Sequence, residues 1–360
     1  MFEGYFGRRR LKTLLVSIVI SLLVLILISC WRNRLSPSRT RLKFRRQSSA
    51  NSKFQFNRIP FLPSIGKAST NILSSIEFTN SPYVDLTTTS SILIPIIVLS
   101  QASNIEIRDA IRRTWAFKRF FRRQSIEIKV FFLVGIDDQT FKRIRAEQRL
   151  FNDVIHVSIP ELDSFMAYKE LSAMIWIRSH LPRARFYIKT EDTVIMNIRA
   201  MIDVLLPSIE KIQHENFLIG WFGSKHLIHR GNYQKFVDAV LSITSIHLDY
   251  AMSLFYVVTA RAADQMLNIL NDVEFLDQPG DPFVTGVLRL AARIQVKNLA
   301  IDRLEYRYQL IENSCTTAFT FDKQLLFCSP ITNAQSKRST TIYFETWNTL
   351  FNHYELSNKD

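Results

Sequence analysis

The stretch FYIKTEDTVIMN, residues 186–197, decides how the chain reads. Phe186, Tyr187 and Ile188 form a short apolar run of the kind that makes a strand covered on both faces, and a helix is expected from Met196 onward. Between the two, Glu191 and Asp192 stand where the strand ends. In an open α/β sheet, ligands collect in the crevice outside the carboxyl ends of the strands. Carboxylates there can hold a hard divalent cation through oxygen, commonly sharing it with substrate phosphates. A solvated acidic turn is the competing reading of the same two residues, because short motifs also match by chance.

Outward from this stretch the pattern is strands alternating with amphipathic helices. Residues 92–99 (ILIPIIVL), 126–134 (IEIKVFFLV, ended by Gly135) and 154–159 read as three earlier strands. Asn104 is expected to cap a helix reaching about residue 118, and Asp137 and Asp138 to open one reaching about residue 150. Ser164 is expected to cap a long helix through His180, stopped by Pro182. A helix over 196–212 follows, then strands at 217–222, 255–258 and 296–301. Helices are expected at 260–271 and at 282–294, the latter with Pro282 at its first position. Such alternation implies βαβ units, an α/β fold and a parallel sheet.

The chain before residue 91 is different in kind. Residues 11–30 (LKTLLVSIVISLLVLILISC) are almost wholly apolar. About 20 such residues cross a hydrocarbon core of roughly 30 Å. Arg8, Arg9, Arg10 and Lys12 precede the run as a cytoplasmic flank should, although Arg32, Arg34, Arg39 and Arg41 follow it. The reading is a cytoplasmic tail (1–10), a transmembrane signal anchor (11–30), a flexible basic stem rich in Ser, Asn, Arg and Thr (31–90), and a folded domain (91–360). Two alternatives stand beside the anchor. A cleaved signal peptide lacks an A-x-A-like site here, whereas residues 27–30 (LISC) resemble a lipobox.

Charge excludes one class of function. Of the formal +14, residues 1–67 hold fourteen Lys/Arg and one acid, leaving thirty-two basic against thirty-one acidic residues in the remainder. A nucleic-acid partner needs its basic groups on the binding domain, so none is expected. No Cys/His cluster has zinc spacing, and the first βα turn has no Gly-rich fingerprint for a dinucleotide or P-loop. Cys315 and Cys328 would be disulfide partners in an oxidising lumen and two ordinary thiols in cytosol; spacing does not decide.

Six blocks in register resemble the family 31 glycosyltransferases, the β1,3-galactosyltransferase-like enzymes, including the many nematode members. Residues 108–115 (RDAIRRTW) look like the family's R-x-x-I-R-x-T-W, and residues 132–135 (FLVG) like its F-L-x-G strand end. The block from Glu147 through residues 152–155 to Asp163 and Lys169 follows its E…F-x-D-I…D…K spacing. Residues 189–194 (KTEDTV) stand at K-x-D-D-D-V, residues 247–259 at Y-P-x-Y-x-x-G-x-G-Y-V-L-S, and residues 280–286 (GDPFVTG) at E-D-V-F-V-T-G. The resemblance implies a GT-A (Rossmann-like) fold and a Golgi type II single-pass membrane enzyme. It implies a UDP-sugar donor with Mn²⁺, a glycoprotein or glycolipid acceptor, and inversion at the anomeric carbon.

On that resemblance Asp281 is the candidate base, with a helix N-cap as its plainer role. Glu191 and Asp192 are the candidate metal and nucleotide contacts. Arg112 and Lys169 are candidate nucleotide or phosphate contacts, each equally readable as a surface charge, while Trp115 is expected in the core. Three departures accompany the matches. Thr193 replaces the third acid of the triplet, and a hydroxyl is a poor ligand for a hard dication. Ser253, Leu254 and Phe255 fill the glycine-rich block, and Gly280 replaces the Glu of E-D-V. The expected function is transfer of galactose or N-acetylhexosamine from a UDP-sugar to a glycan hydroxyl in β1,3 linkage. The alternative is a catalytically silent family member acting as a lumenal binding protein.

Overall fold

A computed structural model of the chain describes residues 76–85, 92–117, 126–222, 224–227, 247–270, 273, 280, 282–299, 307–310, 315–322, 324–329 and 340–357. The tail, the anchor, most of the stem and Asp281 lie outside the described residues. Contacts divide the chain into Met1–Pro60 and Phe61–Asp360, and all that follows concerns the second unit. No helix among the described residues is long and apolar enough to cross a membrane.

In chain order the strands are β1 (Phe78–Asn80), β2 (Ile92–Leu99), β3 (Ile126–Ile136), β4 (Val154–Pro160), β5 (Phe186–Glu191), β6 (Ile195–Met196), β7 (Phe217–Gly220), β8 (Ser224–Leu227), β9 (His247–Tyr250), β10 (Phe255–Thr259), β11 (Gln295–Asn298), β12 (Arg307–Leu310) and β13 (Leu325–Ser329). The helices are α1 (Ile105–Arg113), α2 (Phe141–Phe151), α3 (Met166–His180), α4 (Ile198–Ala200, Met201–Leu205 and Leu206–Ile212), α5 (Ala260–Asn268), α6 (Pro282–Leu288 and Arg289–Ala291), α7 (Cys315–Phe321) and α8 (Thr341–Ser357). The middle of α4 is a widened π-type turn. It lies just ahead of Pro207, which has no N–H to give to a carbonyl one turn back.

The main sheet has the order β1-β4-β3-β2-β5-β10-β7-β11. β2, β3, β4 and β5 are parallel neighbours, with Val98 opposite Phe132 on one side and Thr190 on the other. From β2 the chain steps outward to β3 and β4, then returns to the opposite flank of β2 as β5. That reversal opens a crevice at the carboxyl ends of β2 and β5. Alternate residues serve opposite faces. Ile96 faces the layer built from α1, α4 and the carboxyl-terminal elements, and Ile97 faces α3, α5 and α6. Both are fully buried, each side chain contributing about 1.5–3 kcal/mol.

The structure corrects several expectations. The sheet is mixed rather than parallel, since β10 runs antiparallel to both β5 and β7. The chain leaves β7 for the β8–β9 pair and comes back reversed, without the crossover that a parallel return requires. Residues 76–85, assigned to the stem by composition, carry β1, which pairs antiparallel with β4. Met196 pairs with Phe327 of β13 instead of opening a helix. The helix after Asn104 ends at Arg113, not near residue 118, and the one after Asp137 starts only at Phe141.

Cys315 and Cys328 form a disulfide joining α7 to β13. β13 in turn holds β6, two residues beyond Thr193. Closing a loop of this size is worth about 3 kcal/mol in the chain-entropy account. Replacing both cysteines by serine is expected to lower the unfolding free energy by about that amount in denaturant titration, and reductant is expected to destabilise the wild type alone.

Candidate functional site

The crevice is built from the loop after β2, residues 100–104, and the turn after β5, residues 191–193. A backbone bond joins them: the Asp192 N–H donates to the Leu99 carbonyl at 3.1 Å. Asp192 is buried, and its Oδ2 accepts from Ser100 Oγ and Asn104 Nδ2, each at 2.8 Å. Asn104 occupies the cap position of α1, yet its side chain is spent on Asp192 and not on the helix. The Asp192 carbonyl accepts a hydrogen bond from the Tyr343 hydroxyl of α8. No local sequence signal links residues 151 positions apart.

Beneath the loop lie buried charges. Arg108 donates from Nε and Nη2 to the two Glu147 oxygens at 2.9 and 2.8 Å. It also donates from Nη1 to Ser100 Oγ (2.9 Å) and the Gln101 carbonyl (2.6 Å), and from Nη2 to the Ala102 carbonyl (3.1 Å). Its five N–H groups are therefore all engaged. Glu161 accepts from the backbone N–H of Ala102 (3.0 Å) and of Gly135 (2.6 Å). A Cβ on Gly135 would come within 2.3 Å of the Ile159 carbonyl oxygen, so only glycine fits there.

Lys169, read from the sequence as a nucleotide or phosphate contact, is turned inward. Its Nζ donates to the Ser100 carbonyl at 2.7 Å and to both Glu161 oxygens at 2.9 and 2.7 Å. Burial pulls its pKa below the ordinary lysine value, against the opposing pull of Glu161 and Asp192. Arg112 is likewise committed through Nε and Nη2, while its Nη1 is buried with no hydrogen-bond partner among the described residues. It forks onto Asp153 at 2.8 and 2.8 Å, reaches Glu147 at 2.7 Å, and lies over the rings of Phe132 and Phe151. Neither cation presents a donor fork to the crevice; both brace it. Trp115 is fully buried, as expected.

Glu191 is the more open member of the acid pair, its side chain 24% exposed and 3.7 Å from Lys189 Nζ. Lys189 donates to the Ser253 carbonyl at 2.6 Å, and Thr190 Oγ1 to the Leu254 carbonyl at 2.7 Å. The block that lacks glycines is thus tied to β5 by side chains of β5. Phe255 does not project toward a ligand: it is buried and stacks on Phe327 with centroids 4.9 Å apart. At Gly280 a Cβ would meet Glu170 Oε2 at 2.7 Å, so a larger residue there would collide with that carboxylate. Glu170 accepts from the Tyr256 hydroxyl at 2.5 Å. Burial, then the Glu170 charge, raise the pKa of the neighbouring Tyr187.

Among the described residues of the turn, the carboxylates available to a cation are those of Glu191 and Asp192. The Thr193 hydroxyl is buried without a hydrogen-bond partner among the described residues. One oxygen of Asp192 already accepts two protein donors. No group of three His, Cys, Asp or Glu able to hold a metal occurs among the described residues.

The brace has a stability signature. Burial alone would raise the Glu147 pKa, but the hydrogen bonds and charges of Arg108 and then Arg112 outweigh it and hold the pKa below its ordinary 4.5. Its contribution is present above the unfolded-state value and is lost as pH falls through the lowered folded-state value. Glu147→Gln strands Arg108 in the core and is expected to cost about 3–5 kcal/mol at neutral pH. The variant should also lose part of the wild type's destabilisation below pH 4.5, as read by denaturant titration across pH.

Residues 106–300 match the family model described as galactosyltransferase. The lactosylceramide 1,3-N-acetyl-beta-D-glucosaminyltransferase of Xenopus tropicalis is 27% identical over 188 residues, 48% of this chain and 47% of that protein. The UDP-GalNAc:beta-1,3-N-acetylgalactosaminyltransferase 1 of Homo sapiens is 28% identical over 146 residues, 39% and 42% of the two chains. The beta-1,3-galactosyltransferase 5 of Gorilla gorilla gorilla is 23% identical over 204 residues, 56% and 66% of the two. The chain spans about half the length of the first curated relatives it matches. Since the matched region covers more than half of the chain and holds Arg108, Glu147 and the acid pair, the chain belongs to the galactosyltransferase family, the family 31 glycosyltransferases.

Proposed function

We propose that this protein transfers a hexose, galactose or an N-acetylhexosamine, from a UDP-sugar to a glycan hydroxyl in β1,3 linkage, on a GT-A fold. The observation that carries the reading is the acid pair at the end of β5, locked across the switch-point crevice by Ser100 and Asn104. Its two members divide the work. Asp192 fixes the turn, and the more exposed Glu191 accepts from hydroxyls of the bound nucleotide sugar. Transfer is a single displacement: the acceptor hydroxyl gives its proton to Asp281, its oxygen bonds to the anomeric carbon, and the bond to UDP breaks with inversion.

The disulfide supports an oxidising compartment, in keeping with a Golgi membrane protein held by the single-pass anchor at 11–30. A divalent cation would neutralise the departing pyrophosphate. Mn²⁺ stays a family expectation for which the described donor set offers at most Glu191 and Asp192.

The test is transfer by the full chain across UDP-sugars and a glycan acceptor panel, with linkage analysis of the product. Asp281→Asn is expected to lower kcat by about 10²–10⁴-fold; equal product from wild type and variant removes Asp281 as the base. The Thr193 hydroxyl, buried and without a partner among the described residues, favours a second reading, a silent family member that keeps the fold. Calorimetry with UDP, with and without Mn²⁺, separates the two, because tight metal-dependent binding counts heavily against silence.

A further inference from the structure

A cleft of about 670 Å³ lies away from the crevice, at the outer edge of the main sheet, where β1, β4 and α2 meet. Pockets of a few hundred to about 1,000 Å³ are the size that takes small ligands. Its lining includes Asn80, Tyr83, Phe141, Arg145, Arg149 and His156, and no carboxylate among the described residues.

Two features set it apart from an ordinary solvated surface. The first is unbalanced charge. α2 exposes Lys142, Arg143, Arg145 and Arg149, and none of the four has a carboxylate partner among the described residues. The one acid of that helix, Glu147, is buried and consumed by Arg108 and Arg112. Beyond residue 67 the chain as a whole is nearly neutral, so this is a local concentration of cations.

The second feature is that the rim is built, not loose. Tyr83 is 78% exposed, yet its backbone is clamped twice by Asn152: N–H to Oδ1 and carbonyl to Nδ2, both at 2.9 Å. Asn152 adopts a left-handed conformation, φ 52°, at the end of α2. Ser81 accepts from Trp176 Nε1 at 2.6 Å, and Thr79 Oγ1 pairs with His156 Nδ1 at 2.7 Å. Phe141, half exposed, lies across from His156 with centroids 5.6 Å apart and carries Arg145 5.8 Å from its own ring centroid. Fixed aromatic faces beside guanidinium forks and an amide are a chemical complement for sugar rings bearing anionic groups. The rings cover the apolar C–H faces, and the forks take carboxylate or sulfate in bidentate fashion.

We propose that this cleft is a second saccharide subsite that holds an acidic stretch of a glycan chain, one carrying carboxylate or sulfate groups. The inference rests on the glycan-acceptor reading for its choice of ligand. β4 lies three strands from β5, roughly 14 Å at 4.7–4.9 Å per strand, so the subsite grips the acceptor away from its reacting end.

The experiment is hydrogen–deuterium exchange on the full chain with three probes: a sulfated uronate hexasaccharide derived from heparin, a sialylated oligosaccharide, and a neutral oligosaccharide of equal length. Amides in 78–85 and 141–152 are expected to gain protection with an acidic probe and none with the neutral one. The sulfated and sialylated arms tell sulfate from carboxylate. Arg145→Gln with Arg149→Gln, both at exposed positions, should weaken the acidic probe's half-saturation at these amides by at least tenfold. Reading these amides separates the subsite from the basic residues 1–67. Protection that is unchanged in the double variant, equal with the neutral probe, or equally produced by inorganic pyrophosphate overturns the proposal. The failure modes stay distinct. Protection without any transferase activity sinks the proposed function and leaves the subsite, whereas transfer without protection sinks the subsite alone.

Discussion

The site depends on one buried guanidinium. The loop leaving β2 must turn at the crevice floor, where its Gln101 and Ala102 carbonyls and the Ser100 hydroxyl need partners, since an unpaired buried polar group costs about 1–3 kcal/mol. Arg108 supplies all three from a single side chain and places its remaining donors on Glu147. A buried charge is tolerable only when its partner is close and its other hydrogen-bonding positions are filled, and both conditions hold here. Ser100, fixed in this way, presents its hydroxyl to Asp192. Lys169 and Glu161 repeat the arrangement from the α3 side, grasping the same loop through the Ser100 carbonyl and the Ala102 N–H.

This division of labour explains why cations that look like ligand contacts are not spent on ligand. Every donor of Arg108 and the ammonium of Lys169 point into the loop's own backbone, its Ser100 hydroxyl or its supporting carboxylates. The crevice is shaped by charges that it does not expose, and the exposed acid is Glu191. Part of the support comes from beyond residue 300, the end of the matched region. β13 flanks β6, the disulfide ties β13 to α7, and α8 brings Tyr343 to the Asp192 carbonyl. The carboxyl-terminal elements are therefore part of the site's frame, although the family pattern does not describe them.

Legibility followed the range of the forces involved. The apolar run at 92–99 read correctly to the residue, because a strand buried on both faces needs no partner to be recognised. The strand ending in the acid pair was legible for the same reason, as was the long α3. The pairing of β10 was not, because Phe255–Thr259 has the same composition in either direction. β1 is hidden inside a stretch rich in polar residues: its three residues are held by β4, and Ser81 and Tyr83 just after it by Trp176 and Asn152, none of them local. Arg112 and Lys169 stand out in the sequence as candidate contacts or surface charges, and the structure turns both onto carboxylates of the fold, Glu147 and Glu161. A sequence states that a cation is present, not whether a carboxylate lies closer to it than solvent does.

By itself the sequence determined the α/β class, the position of the acid pair at a strand end, and the family, all of which rest on hydrophobic periodicity and short-range motif order. Only the tertiary structure decided that the sheet is mixed, that Asn104 and Ser100 serve Asp192, that Phe255 packs inward on Phe327, and that Cys315 reaches Cys328. Each of those outcomes is a hydrogen bond, a ring stack or a covalent link between separate elements. Such contacts are fixed by which faces meet once the two hydrophobic layers have closed on the sheet, and no window along the chain contains both partners.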